Sequence, residues 1–294
     1  MNPVNGRASW VWGICKVDEF WIHKSLIGSS IREISTLATK RACFEDMKNG
    51  TARKRARAHR AREISRDKSI GYVLCKGIGK IQNVVALRLS FFFFKIFRGW
   101  RTFVFEGETY RYFCRWYNTT WLNERAVETP VVWKLVNKQE GKNILEIGNV
   151  LSHYFPVKHD IVDKYENAKG VINQDVVEFQ PNRKYDLIVS ISTLEHVGWD
   201  EKPRDPTKIL KAFERLQALL SQKGRMIVTL PIGFNSDLDN LLKFNKIRFT
   251  RQFCFRRISK SNIWREVKWG DLRTLKNEEP FHQANGLVIG ILEK

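Results

Sequence analysis

The stretch Asn143-Ile144-Leu145-Glu146-Ile147-Gly148-Asn149 decides how this chain is read. Its apolar run has the length of a strand and ends in an acid followed by a glycine. A run apolar on both sides has no face to offer water, so it belongs inside a sheet covered by helices. Ligands of open α/β sheets bind at the carboxyl ends of the strands, which is where Glu146, Gly148 and Asn149 fall. Gly148 is expected to let the backbone approach a ligand with no Cβ in the way. Fifteen residues beyond it, Asp160-Ile161-Val162-Asp163-Lys164-Tyr165 brings Asp163 to the end of a second strand. A carboxylate there can accept hydrogen bonds from both hydroxyls of a ribose. A dinucleotide would require further glycines that open room for a pyrophosphate. Asn149, Val150, Leu151 and Ser152 fill that room, so the loop suits a nucleoside that carries a cation instead of phosphates. The plainer alternative is a strand that ends this way for packing alone.

Working outward, short apolar runs at 143–147, 160–162, 170–172, 185–191, 224–230 and 287–292 alternate with helical or loop segments. Segment 205–220 is amphipathic, with Ile209, Leu210, Phe213, Leu216, Leu219 and Leu220 on one face. Apolar strands separated by helices predict a doubly wound α/β sheet, mostly parallel. Before it, 102–105 and 109–113 flank Glu106-Gly107-Glu108 and predict a β-hairpin. A helix is predicted from Asn118 or Thr119 through Val127, and another from Pro130, a residue suited to a helix's first turn, to about Asn137. The first of these has a polar, aromatic-bearing start (Asn118, Trp121, Asn123, Glu124, Arg125), which by itself reads as a solvated helix with one buried tryptophan.

Five of these segments together resemble the motifs of class I S-adenosylmethionine-dependent methyltransferases. Ile144 to Gly148 resembles the first motif, usually Glu-x-Gly-x-Gly, and Asp163 matches the ribose-binding acid after the second strand. Asn173-Gln174-Asp175 resembles the adenine-binding turn after the third. Tyr185 through Gly198, with Ser192-Thr193-Leu194-Glu195-His196, resembles the fourth-strand motif, where many small-molecule methyltransferases carry Leu-Glu-His. Leu220 to Pro231 resembles the fifth-strand segment. The resemblance covers about residues 100–294 and departs from the pattern at Val150, where the second glycine belongs, and at Gln222-Lys223, which replace Pro-Gly.

The resemblance implies a Rossmann-like fold in which 250–258 and 287–292 pair as an antiparallel edge hairpin. It implies S-adenosylmethionine as cofactor, held by Glu146, Gly148, Asn149, Asp163, Lys164, Asp175, Val176, Ser192 and Thr193. It implies too that the helix beginning at Asn118 or Thr119 covers the cofactor site. The acceptor is expected to be a small molecule or a glycan or lipid-type metabolite. Methyl transfer from a sulfonium needs alignment more than acid catalysis. A hydroxyl acceptor must still lose a proton, for which His196 is the candidate base, while its neighbour Glu195 either orients the site or lines the cofactor pocket. His196 is equally well read as a helix-start residue that holds the loop. Asp186 reads as structural, and Pro231 through Asn235 is expected to border the acceptor pocket. Two rival functions stand beside this one: a non-catalytic binding protein on the same fold, suggested by Val150, and a nucleic-acid-associated methyltransferase using a basic arm.

That arm is where the charge lies. Of a net +20, the first hundred residues carry 20 Lys/Arg against 7 Asp/Glu, densest from Arg53 to Lys68. Residues 1–98 are expected to form an irregular basic N-terminal extension, poorly patterned or partly disordered, with 99–294 as the methyltransferase domain that the resemblance implies. The extension is either solvated or binds phosphates of nucleic acid or an anionic membrane. A strand pair is expected within 9–20 and weak helix over 31–66. The apolar run 84–97, broken by Arg88 and Lys95, is too short to span a bilayer and is expected to be buried or interfacial. Five cysteines, none in a CxxC pair, predict neither a disulfide framework nor a metal site, and fit the cytoplasm.

Overall fold

A computed structural model describes residues 13–17, 20–24, 82, 84–139 and 141–294. The chain divides into two units, Met1–Ser90 and Phe91–Lys294. In the first, β1 (Gly13–Val17) pairs antiparallel with β2 (Phe20–Lys24), a strand pair reaching beyond the predicted stretch. The weakly helical reading of 31–66 and the basic run from Arg53 to Lys68 lie outside the described residues.

The second unit opens with helical residues 91–93 and a π-helical turn, Phe94–Arg98. The inner row of this segment packs inward, Phe91 lying 4.9 Å from the ring of Trp121. Burial of the run as a whole is not what the structure holds. Ile96, Phe97 and Trp100 are 64%, 60% and 69% exposed, because only one row of the helix finds a partner. The hairpin follows as predicted, β3 (Thr102–Phe105) against β4 (Glu108–Arg111). Glu106 and Gly107 both take positive φ, as a two-residue turn matched to strand twist requires.

The two predicted helices are one. Residues Tyr117–Leu122 form a 3-10 segment broken by left-handed Asn118 and Thr119, and α1 (Arg125–Asn137) then runs straight through Pro130. Pro130 has no N–H for the Ala126 carbonyl four residues back. The backbone N–H of Phe113 donates to that carbonyl instead, at 2.9 Å, so the proline costs no hydrogen bond.

The sheet has eight strands. They are β5 (Ile144–Ile147), β6 (Asp160–Val162), β7 (Val171–Ile172), β8 (Tyr185–Ile191), β9 (Leu220–Ile232), β10 (Arg251–Arg257), β11 (Trp264–Val267) and β12 (Gly286–Glu293). Their spatial order is β11-β10-β12-β9-β8-β5-β6-β7. The five from β9 to β7 are parallel, whereas β12, β10 and β11 are joined by antiparallel pairings. This is the Rossmann-like doubly wound sheet expected. β10 does pair with β12, but it is not the edge. Trp264–Val267 adds a further strand outside it, with charged Arg265 and Glu266 at its centre.

Alternate residues of each strand feed two cores. Leu145, Ile188, Met226 and Val228 face Phe213 and Leu216 of α2 (Lys208–Leu219). Leu187, Val189, Ile227 and Ile289 face Val127, Val131 and Val132 of α1, together with Phe103 and Phe105 of the hairpin. Asp186, the residue read as structural, joins strand starts. Its carboxylate accepts from Asn143 N at 3.1 Å and Ser221 Oγ at 2.9 Å. α3 (Ser236–Lys243) is capped by Asn235, whose side chain accepts from Asp237 N and Leu238 N. No helix among the described residues is long and apolar enough to cross a membrane.

Candidate functional site

Strand order reverses at β5, whose neighbours are β6 on one side and β8 on the other. Loops leaving neighbouring strands diverge at such a point and open a crevice. Here the crevice is a cleft of about 470 Å³, within the range of ligand sites. Its wall comes from the ends of successive strands: Ile147 to Val150 after β5, Asp163 to Glu166 after β6, Gln174 to Val176 after β7, and Ser192, Thr193 and His196 after β8. Of the sequence-predicted residues, Gly148, Asn149, Asp163, Lys164, Asp175, Val176, Ser192, Thr193 and His196 therefore line one cavity. Glu146 and Glu195 do not.

Glu146 is fully buried, and its carboxylate builds the loop rather than the wall. One oxygen accepts from Val150 N at 2.9 Å and Leu151 N at 2.8 Å, and the other lies 2.7 Å from His159 Nε2. Two backbone donors held by one carboxylate explain how the turn keeps its shape with Val150 in place of glycine. Gly148 carries a second constraint. It has φ +82°, and a Cβ there would sit 2.2 Å from Thr193 Oγ1. The missing side chain makes room for Thr193, and so joins the β5 and β8 loops at the wall of the cleft.

Asp163 opens onto the cleft and makes no ion pair among the described residues. Its Oδ1 accepts from Tyr165 N and Glu166 N, both at 2.8 Å, and Oδ2 from Asn149 N at 3.2 Å. A carboxylate has four acceptor positions, so three backbone donors leave one on Oδ2. Glu166 stands beside it, with Oε1 accepting from Asn149 Nδ2 at 2.7 Å. Sequence reading passed over Glu166, although its position three residues after Asp163 in the same turn was the available signal.

Asp175 is more heavily engaged. Its Oδ2 lies 2.6 Å from Lys208 Nζ and 2.9 Å from Lys164 Nζ, and both ammonium groups also reach Glu201. The four charges close a ring along the rim. Burial pushes the Asp175 and Glu201 carboxyls up, but the two lysines outweigh it and hold both below the usual range. An amino group arriving at Asp175 must share an oxygen with these lysines, and Lys164 acts as a tie between rim loops.

At the β8 end, Ser192 takes φ +41°, a left-handed turn that a serine adopts only when its surroundings hold it. Three bonds do so: its N–H donates to Thr229 Oγ1 at 3.0 Å, its Oγ donates to Glu128, and Arg125 Nη1 donates to the preceding Ile191 carbonyl at 2.7 Å. Arg125 lines the cleft and ion-pairs with buried Glu128 at 3.3 Å. His196 is 43% exposed at its side chain; Nδ1 lies 2.7 Å from Asp200 Oδ2 and Nε2 3.7 Å from Glu195 Oε1. Its ring meets Phe234 edge-on at 4.8 Å, so the segment after β9 does touch the histidine. Glu195 is 2% exposed with Oε2 unpartnered, and burial drives its carboxyl well up. Among the lining residues, Asp163, Glu166, Asp175, Asp200 and Glu201 outnumber Arg125 and Lys164, giving a wall that favours a cation.

No protein-family model and no curated protein matches the chain. Solved structures similar to it include the N-methyltransferase NodS of Bradyrhizobium japonicum in complex with S-adenosylhomocysteine. That match has 12% identity and a TM-score of 0.39, covering 58% of this chain and 87% of that one. Others are the Burkholderia thailandensis 1,6-didemethyltoxoflavin-N1-methyltransferase (14%, TM-score 0.36, 58% and 79% covered) and the magnesium protoporphyrin IX methyltransferase of Synechocystis (14%, TM-score 0.32, 56% and 78%). Likeness at these scores carries no argument about activity, which has to come from the cleft.

Proposed function

We propose that the second unit is a methyltransferase that uses S-adenosylmethionine and acts on a small molecule or a glycan or lipid-type metabolite. The observation that carries the reading is Asp163, placed by three backbone donors at the mouth of an acidic cleft where strand order reverses. The cleft fits this cofactor. Asp163 has one acceptor position open and Glu166 stands next to it, so two carboxylates meet the two ribose hydroxyls. Val176 offers an apolar wall for the adenine. The surplus of carboxylates suits a sulfonium and opposes the phosphates of a dinucleotide.

When bound, S-adenosylmethionine supplies an electrophilic methyl group. The chain supplies alignment and, for an acceptor that must lose a proton, a base. Asp200 fixes the His196 ring through Nδ1, which leaves Nε2 to take that proton. Glu195, out of contact with the cleft, sets the electrostatics behind this nitrogen.

Calorimetric titration with S-adenosylhomocysteine tests the reading. Asp163→Ala removes a charge-assisted acceptor worth about 1.5–3 kcal/mol, so affinity is expected to fall roughly ten- to a hundredfold. An unchanged affinity in that variant overturns the assignment. Turnover with a panel of acceptors separates an enzyme from a non-catalytic binder.

A further inference from the structure

Chain segment 91–100 presents Phe92, Phe93, Ile96, Phe97 and Trp100 to solvent, each at least 46% exposed. These are successive rows on the outer side of a helix whose inner side is pinned through Phe91 to Trp116 and Trp121. Soluble surfaces seldom leave so many large apolar side chains contiguous unless something covers them. Charge says what the cover is. Lys95, Arg98, Arg101, Arg111 and Arg115 have no ion-pair partner among the described residues, and no carboxylate lines the two grooves beside the apolar row that hold them. Lys95, Arg111 and Arg115 share one shallow groove with Trp100 and Trp133. Arg98 is already stacked over Phe93 and Phe94, and its Nη1 is buried without an acceptor. A second copy of the chain would bring the same cations against this face, so charge opposes self-association.

We infer that this face docks on an anionic lipid bilayer. The aromatic row sits at the level of the headgroups, and the unneutralised cations pair with lipid phosphates and carboxylates. Trp100 suits that boundary, with an apolar body and a polar N–H. The inference is independent of the methyl-transfer reading.

Co-sedimentation of the full chain with vesicles tests it, using phosphatidylcholine alone and phosphatidylcholine mixed with phosphatidylserine. Binding is expected to the mixed vesicles only, and to weaken with added salt. The double variant Ile96→Glu/Phe97→Glu changes exposed side chains, and its thermal unfolding midpoint should match the parent's. Its vesicle affinity is expected to fall roughly tenfold or more. Equal binding by the variant would assign the affinity to the basic run of the first unit and overturn the inference. So would an absence of binding to either vesicle, or sedimentation without lipid showing a dimer that the substitutions abolish.

Discussion

Gly148 shows how one residue's freedom can serve a contact that its local sequence does not reveal. Its place after a buried strand was plain from the chain, yet the side chain it leaves room for belongs to Thr193, on another strand's loop. Only the fold brings the two together. Gly148→Ala is expected to lower stability by about 2–3 kcal/mol, from a strained positive φ plus an overpacked contact. Thr193→Gly in the same chain should recover part of that loss, measured as urea midpoints in a double-mutant cycle; strictly additive losses would contradict the contact. Asp163 and Asp175 contrast in the same way. Both were legible as acids at strand ends, but the ring of Lys164, Lys208 and Glu201 that engages Asp175 draws on the loop after β6, the loop after β8 and the start of α2. No spacing encodes such a ring. Asp200 was within reach, four residues after His196 and on the same turn.

Elements were legible where hydropathy alone decides them. The central strands β5, β6 and β8 are apolar throughout or nearly so, and helix α2 carries a clean apolar face. They failed to be legible where tertiary contacts override a local rule. Pro130 reads as a helix start, but the Phe113 N–H makes an internal proline harmless, and two helices become one. The junction of α1 with the sheet adds a pH dependence. Glu128 of α1 is buried beside Ser192 and Thr229, and burial pushes its carboxyl up to about 7 against the pull of Arg125. Glu195 is raised in the same way, and Asp239 to about 6. Between about pH 4.5 and about 7 the folded chain therefore holds protons that the unfolded chain has released. Stability present below that window is lost as pH rises through it. Urea midpoints should fall across the window in the parent, and fall less in Glu128→Gln, by up to about 2 kcal/mol. A midpoint constant or rising with pH would contradict the buried placement.

At the scale of the molecule, the sheet order explains why chemistry gathers where it does. Reversal at β5 sends the loops of β5, β6 and β8 to one edge, and the acids those loops carry become the wall of one cleft. Fold class could be read from the alternation of apolar runs and helices, because a parallel sheet has to be covered on both faces. The uncovered helix at 91–100 could not, since an apolar run looks the same whether it is buried or awaiting a partner. The whole account rests on a nucleoside cofactor lying across that edge. Native mass spectrometry of the full chain, mixed with S-adenosylmethionine and with NAD in equal amounts, tests this most directly. A single added mass corresponding to S-adenosylmethionine, or to S-adenosylhomocysteine carried through purification, is the predicted result; a folded chain that stays bare, or that carries NAD, would contradict it.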